Sequence, residues 1–231
     1  MNASIVGASG YAGEELIRLL HGHPFVEIAH LTSERHTGER ISKLYPHLKN
    51  IYENKLESME DVRRIAEDSD VLFIALPHGH AMKIVQEVSA CSVRIIDLGA
   101  DYRFSDTANY EQWYHVAHTD PNADRAYGLT ELYREQVRTA RIIGNAGCYT
   151  TASILALVKA HLVQLDSILV DAVSGVSGAG RSPKESTHYP EFYDSFTAYG
   201  AVSHRHTPEI EQALADVGGT PVTINFTPHL A

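Results

Sequence analysis

The stretch SIVGASGYAGEELIRLL, residues 4–20, limits what this chain can fold into more than any other part of it. A short apolar run, Ser4 to Val6, leads directly into Gly7, Gly10 and Gly13, and these open an amphipathic segment, Glu14 to Leu20. Strand, glycine turn and helix in that order are what a dinucleotide fold requires. The glycines let the backbone turn tightly and approach a pyrophosphate, whose charge then faces a helix N-terminus. Gly7, Ser9, Gly10, Tyr11, Ala12 and Gly13 are therefore the first candidate cofactor-binding residues. A purely structural glycine turn is the competing reading.

Further short apolar runs at Val26 to Leu31, Val71 to Leu76, Val93 to Leu98 and Ile142 to Ile143 read as buried strands, with helical periodicity between them, as at Ala81 to Val88. Alternation of this kind predicts α/β architecture with a parallel, Rossmann-type sheet. From Ser167 the pattern changes: SILVDAV, a Gly/Ser-rich loop and PVTINFTPHL suggest a second, α+β unit. The expected organisation is a nucleotide-binding domain over residues 1–147 and a catalytic domain over 148–231.

Composition excludes several classes. The net charge is −10 over 231 residues, and no Lys/Arg run is long enough to track phosphates, which argues against nucleic acid as a partner. No apolar stretch approaches the roughly 20 residues that span a bilayer, so no membrane partner is expected, and MNASIVGASG begins a strand instead of a signal peptide. A cytoplasmic protein is the expectation. Two cysteines, Cys91 and Cys148, lie far apart without C-x-x-C spacing, which fits neither a disulfide framework nor a structural zinc site.

The identity of the dinucleotide is read at the end of the second strand, where an NAD enzyme offers an acid to the ribose hydroxyls. Here TSERHTG places Ser33 and Arg35, a hydroxyl and a cation suited to a 2′-phosphate, and so favours NADP. Glu34 is the competing group: turned inward, it would serve as the acid of an NAD site.

Cys148, in GNAGCYTTASILALVKAHL, falls between a turn and a helical run ending at Leu162. A cysteine at a helix start is favoured as thiolate by free N–H groups and the macrodipole, which makes Cys148 the candidate nucleophile. Cys91, in SACSVRI, reads as an ordinary buried thiol. His204 and His206, in SHRHTPEIEQAL, stand two apart ahead of a helix starting near Thr207 and Pro208, so both face one side of an extended segment. Acid/base chemistry, a surface role and metal chelation all remain open for them. The second H-x-H, in PHGH after the third strand, adds no third ligand, and no metal is assigned.

Taken together, VGASGYAGEELIRLL, ALPHG, DLGADYRF, GNAGCYTTA, SGVSGAGR, HRHTPEIEQ and FTPHL resemble the N-acetyl-γ-glutamyl-phosphate reductase family, in collinear order over the whole chain. The resemblance implies an NADPH-dependent enzyme of arginine biosynthesis in which Cys148 attacks the γ-acyl phosphate and a thioester is reduced to the semialdehyde. It implies His206 or His204 as proton carrier and Asn145, or N–H groups at the helix start, as oxyanion support. Arg103, Arg181 and Arg205 would bind phosphoryl or carboxylate groups, although each fits a surface ion pair equally well. Pro77 and the loop containing Ser177 and Gly178 would approach the cofactor. A small-molecule acyl-phosphate substrate and a homo-oligomer, dimer or tetramer, complete the implied picture. Ala146, Thr150 and Thr130 stand where the family commonly has proline, and Gly99 where it usually has serine. Family members continue beyond FTPHL, so the second domain is expected to be incomplete relative to them. A sister reductase of lysine biosynthesis and an inactive NADP-binding remnant are the alternatives.

Overall fold

The computed structural model describes residues 1–160 and 167–231. His161 and Leu162, the end of the helical run read after Cys148, lie outside the described residues. Two compact units emerge, one of Met1–Glu111 with His115–Asn145 and one of Gln112–Tyr114 with Ala146–Ala231.

The first unit runs β1 (Asn2–Val6), α1 (Tyr11–His21), β2 (Glu27–Leu31), α2 (Ile41–Leu44), α3 (Val62–Glu67), β3 (Val71–Ile74), α4 (Ala81–Glu87), β4 (Arg94–Asp97), α5 (Thr107–Tyr114, whose last turn belongs to the second unit), β5 (Arg125–Gly128), α6 (Thr130–Thr139) and β6 (Ile142–Asn145). Its six strands are ordered β2-β1-β3-β4-β6-β5, every neighbouring pair parallel. Order reverses beside β1, and in such sheets ligands bind at the carboxyl ends of the strands where it does so. Helix α1 lays Gly13 and Ile17 inward, and Leu16 and Leu20 pack on the same core with Ile5, Ala8 and Leu31. That i, i+3, i+4, i+7 stripe is what the sequence shows from residue 13 onward.

β5 is absent from the sequence reading: RAYG has four residues, begins with arginine and lies at the sheet edge, so it lacks an apolar run. Its Arg125 turns back on the chain, donating from Nε and Nη2 to Phe104 O at 3.1 and 2.7 Å.

The second unit continues with α7 (Cys148–Ala160), β7 (Ile168–Ser174), α8 (Tyr189–Phe192), β8 (Thr197–Ala198), α9 (Thr207–Gly218) and β9 (Ile224–Leu230). β7 pairs parallel with β9 from Ile168↔Ile224 to Ser174↔Leu230, and β8 joins β9 antiparallel. Helix α9 buries Ile210, Ala213 and Leu214, and on the strands Ile168, Ile224 and Phe226 are buried. Alternation along β7 leaves Leu169, Asp171 and Val173 exposed. No described helix is long and apolar enough to cross a membrane.

Candidate functional site

In the first unit the glycine turn is built for a close approach. Gly7 has φ +88°, and a Cβ there would lie 2.6 Å from Ala75 O. A Cβ on Gly13 would lie 2.6 Å from Ala8 Cα, so α1 sits on the strand end as closely as backbone permits. Gly10 precedes α1 and offers no side-chain cap, which leaves the N–H groups of Tyr11, Ala12 and Gly13 to an incoming anion. Tyr11 and Ala12 are exposed. A cradle that Cβ atoms would fill, ending in uncapped amides, fits a pyrophosphate.

Ser33 departs from its expected role as a phosphate ligand. It is 2 % exposed, its Oγ is 2.8 Å from Ser9 Oγ, and the same oxygen accepts from His36 N–H at 3.3 Å. Tyr45 Oη donates to Ser9 O at 2.9 Å and holds the other side of this arrangement. Ser9 and Ser33 thus brace the turn together, and Arg35 is the exposed group beside it. Glu34 is exposed as well and does not turn inward. Pro77, after β3, is also exposed; the loop it begins is pinned where Gly79 N–H and Ala81 N–H donate to the Asp101 carboxylate at 2.7 and 3.0 Å.

Arg103 also departs from its expected role as a substrate ligand. Instead of presenting its charge to a substrate, it is 8 % exposed and donates from Nε to Asn145 O at 2.7 Å and from Nη2 to Leu98 O at 3.0 Å. It ties the ends of β4 and β6, and so fixes the main chain of Asn145, which is half-buried.

In the second unit Cys148 is the first residue of α7 and is exposed, whereas Cys91 is partly exposed and not the fully buried thiol expected. The helix closes over Gly147, whose carbonyl accepts from Thr151 N–H at 2.8 Å. Next to the cysteine, Tyr149 is buried with its ring edge-on to His204 (5.6 Å), His206 (5.9 Å) and Phe226 (5.4 Å). The two histidines come together as their spacing predicts, with ring centroids 4.8 Å apart.

Their environments differ. His206 N–H donates to His204 Nδ1 at 3.1 Å, and His204 is pushed down to about 4 by burial first and then by the charges of His206 and Arg205. His204 is accordingly neutral near pH 7, with its Nδ1 occupied as an acceptor. His206 stands immediately before α9, at its N-cap position. Tyr199 closes the cluster, donating to Tyr149 Oη at 3.2 Å, while Tyr149 donates to His229 O at 3.1 Å. Burial, the Tyr149 hydroxyl and the Cys148 charge together hold the Tyr199 phenol above its ordinary range.

Arg205 is exposed, its guanidinium 5.2 Å from the Tyr114 ring centroid, and Arg181 is exposed on the loop after a one-turn helix, Val176–Ala179, that carries Ser177 and Gly178. Three residues escape sequence reasoning: Tyr149, Tyr199 and Glu209. Glu209, 0 % exposed, accepts Gly147 N–H at 2.9 Å. The only sequence signal for it is a carboxylate in the first turn of a helix, which ordinarily reads as a response to the helix dipole.

A family model described as semialdehyde dehydrogenase, NAD binding domain matches residues 2–140, and one described as semialdehyde dehydrogenase, dimerisation domain matches 148–231. An N-acetyl-gamma-glutamyl-phosphate reductase of Desulforamulus reducens is 48 % identical over all of this chain and 68 % of its own length. A protein of that name from Geobacter metallireducens is 46 % identical with the same coverage. The chain thus spans about two thirds of these relatives. Among solved structures, aspartate semialdehyde dehydrogenase II of Vibrio cholerae matches with TM-score 0.71 at 17 % identity, covering 100 % of this chain and 70 % of that one. The Candida albicans enzyme with NADP matches with TM-score 0.64 at 14 % identity, covering 100 % and 67 %. These two likenesses concern the fold.

Proposed function

Because the chain belongs to the N-acetyl-γ-glutamyl-phosphate reductase family, we propose that it converts N-acetyl-L-glutamyl 5-phosphate to N-acetyl-L-glutamate 5-semialdehyde and phosphate, in arginine biosynthesis, through a thioester on Cys148. The observation that carries this reading is the placing of an exposed cysteine at the first residue of α7, followed directly by a tyrosine packed on the His204–His206 pair.

The residues divide the chemistry as follows. Cys148 as thiolate attacks the acyl carbon; its S–C bond forms as the C–O bond to phosphate breaks, and phosphate leaves with that electron pair. The N–H groups at the start of α7, with Asn145, hold the negative charge that develops on the acyl oxygen. The Gly7–Gly13 turn, with Arg35 at the 2′-phosphate, would hold NADPH, which when bound would supply a hydride for reduction of the thioester. His206 protonates the resulting oxyanion and takes the proton back as the C–S bond breaks, releasing aldehyde and thiolate. His204, neutral, orients His206 by accepting its backbone N–H. Arg181 and Arg205 meet the substrate's phosphoryl and carboxylate charges. Ser177 and Gly178 are the small residues that admit the nicotinamide end.

The match of residues 148–231 to a dimerisation domain supports a homo-oligomer, a dimer or tetramer. Soluble biosynthetic chemistry of this kind supports a cytoplasmic location. The test is the reverse reaction: NADP reduction with N-acetyl-L-glutamate 5-semialdehyde, with and without inorganic phosphate. Phosphate-dependent reduction that Cys148→Ser abolishes, with NADPH binding retained, is the expected result. Reduction independent of phosphate, or surviving that substitution, refutes the assignment.

A further inference from the structure

Both main-chain polar groups of Gly147, the residue before the nucleophile, are held. Its carbonyl accepts from Thr151 N–H inside α7, and its N–H donates to Glu209 Oε1 at 2.9 Å. Glu209 sits in the first turn of α9, which begins at Thr207 directly after His206, and is wholly buried along with Ile210. One hydrogen bond therefore joins the turn that carries Cys148 to the helix that directly follows the histidine pair. A carboxylate at this place opposes the formation of a thiolate one residue away, so electrostatic activation of the cysteine does not account for it. Its reach does: a glutamate three residues after His206 spans to the Gly147 amide.

We propose that Glu209 is a positioning residue that sets Cys148 at a fixed distance from the His204–His206 edge by holding Gly147 N–H; this rests on the reading of Cys148 as nucleophile. The role requires an acceptor of the right length and does not require a charge. Glu209→Gln keeps the acceptor and loses the charge. Glu209→Asp keeps the charge and shortens the reach by one methylene, leaving the amide without its partner.

The experiment compares wild type, E209Q and E209D by three readouts: phosphate-dependent NADP reduction, the rate of Cys148 alkylation by iodoacetamide, and the thermal midpoint. E209Q is expected to keep kcat within about threefold, while E209D loses about a hundredfold in kcat with KM for NADP unchanged, the scale set by a misplacement of about 1 Å. Alkylation of Cys148 slows several-fold in E209D and not in E209Q. An E209Q as impaired as E209D, or an E209D with wild-type kcat, overturns the proposal. If E209D does not fold, E209Q decides alone: activity retained supports positioning, activity lost overturns it. A wild-type chain without phosphate-dependent turnover refutes the reductase reading instead. The tether is then judged on alkylation, where equal rates in E209D and wild type overturn it.

Discussion

Replacing Asp97 with asparagine should make the protein more stable, and increasingly so as pH rises. Asp97 ends β4 with no exposed surface, and its Oδ1 accepts from Gly99 N–H at 2.8 Å. Burial first, and then the charge of Asp101, push its carboxyl up from 3.8 to about 7; the Gly99 amide and Arg103 only partly offset this. The folded protein therefore holds this proton more tightly than the unfolded chain does. The stability that the neutral carboxyl contributes is fully present below about pH 3.8 and is lost as pH rises to about 7. A shift of about three units corresponds to roughly 4 kcal/mol lost by neutral pH, of which about 2–3 kcal/mol falls between about pH 5 and pH 8. Asparagine is nearly isosteric, keeps the acceptor for Gly99 and cannot ionise. The gain of Asp97→Asn over wild type should thus be larger at the higher pH by about 2–3 kcal/mol. Urea unfolding followed by far-ultraviolet circular dichroism at the two pH values measures it. The same difference at both would show that Asp97 is charged in the folded state, and the reasoning would fail.

Three further outcomes follow from the site. Gly13→Ala puts a Cβ 2.6 Å from Ala8 Cα; strain of about 1–3 kcal/mol and displacement of the α1 amides should weaken NADPH binding tenfold or more, read by fluorescence titration, and an unchanged Kd would sink the cradle. Arg35→Ala should narrow the preference for NADP over NAD by about 1.5–3 kcal/mol, the range for a hydrogen bond to a charged group, with equal wild-type affinities as the contrary result. Iodoacetamide should label exposed Cys148 before partly exposed Cys91, with NADP or a substrate analogue protecting Cys148; peptide mapping showing Cys91 first would contradict the assignment.

What the sequence made legible was whatever a few consecutive residues can encode. The glycine turn, the helix beginning at Cys148 and the two histidines facing one another are local patterns, and each is where its spacing puts it. The tether from Glu209 was not legible, because it depends on two segments 62 residues apart meeting in the fold. DLGADYRF was recognisable as a motif, yet its parts act through distant partners: Asp101 through Gly79, Ala81 and the Tyr110 hydroxyl, and Arg103 through carbonyls at two strand ends. A guanidinium that faces inward cannot be told from one facing a ligand by residue type. Ser33 shows the same limit, since a hydroxyl beside a cation invites a phosphate until Ser9 is found across from it.

The parallel register of β7 on β9 also sets an order of events during synthesis. Every rung, from Ile168↔Ile224 to Ser174↔Leu230, joins residues 56 apart, as 224 minus 168 and 230 minus 174 both give. No rung forms early to guide the next, and closing that loop costs about 3.5 kcal/mol from its length alone. At about 5–20 residues per second, β7 waits roughly 3–11 seconds on the ribosome before its partner strand exists. Through that interval Ile168, later buried, stands in water beside Leu169 and Val173, which stay exposed even in the finished unit. Nascent chains of this protein therefore pass through a window in which an apolar strand is open to chaperones, or to the same strand of a neighbouring chain on the polysome.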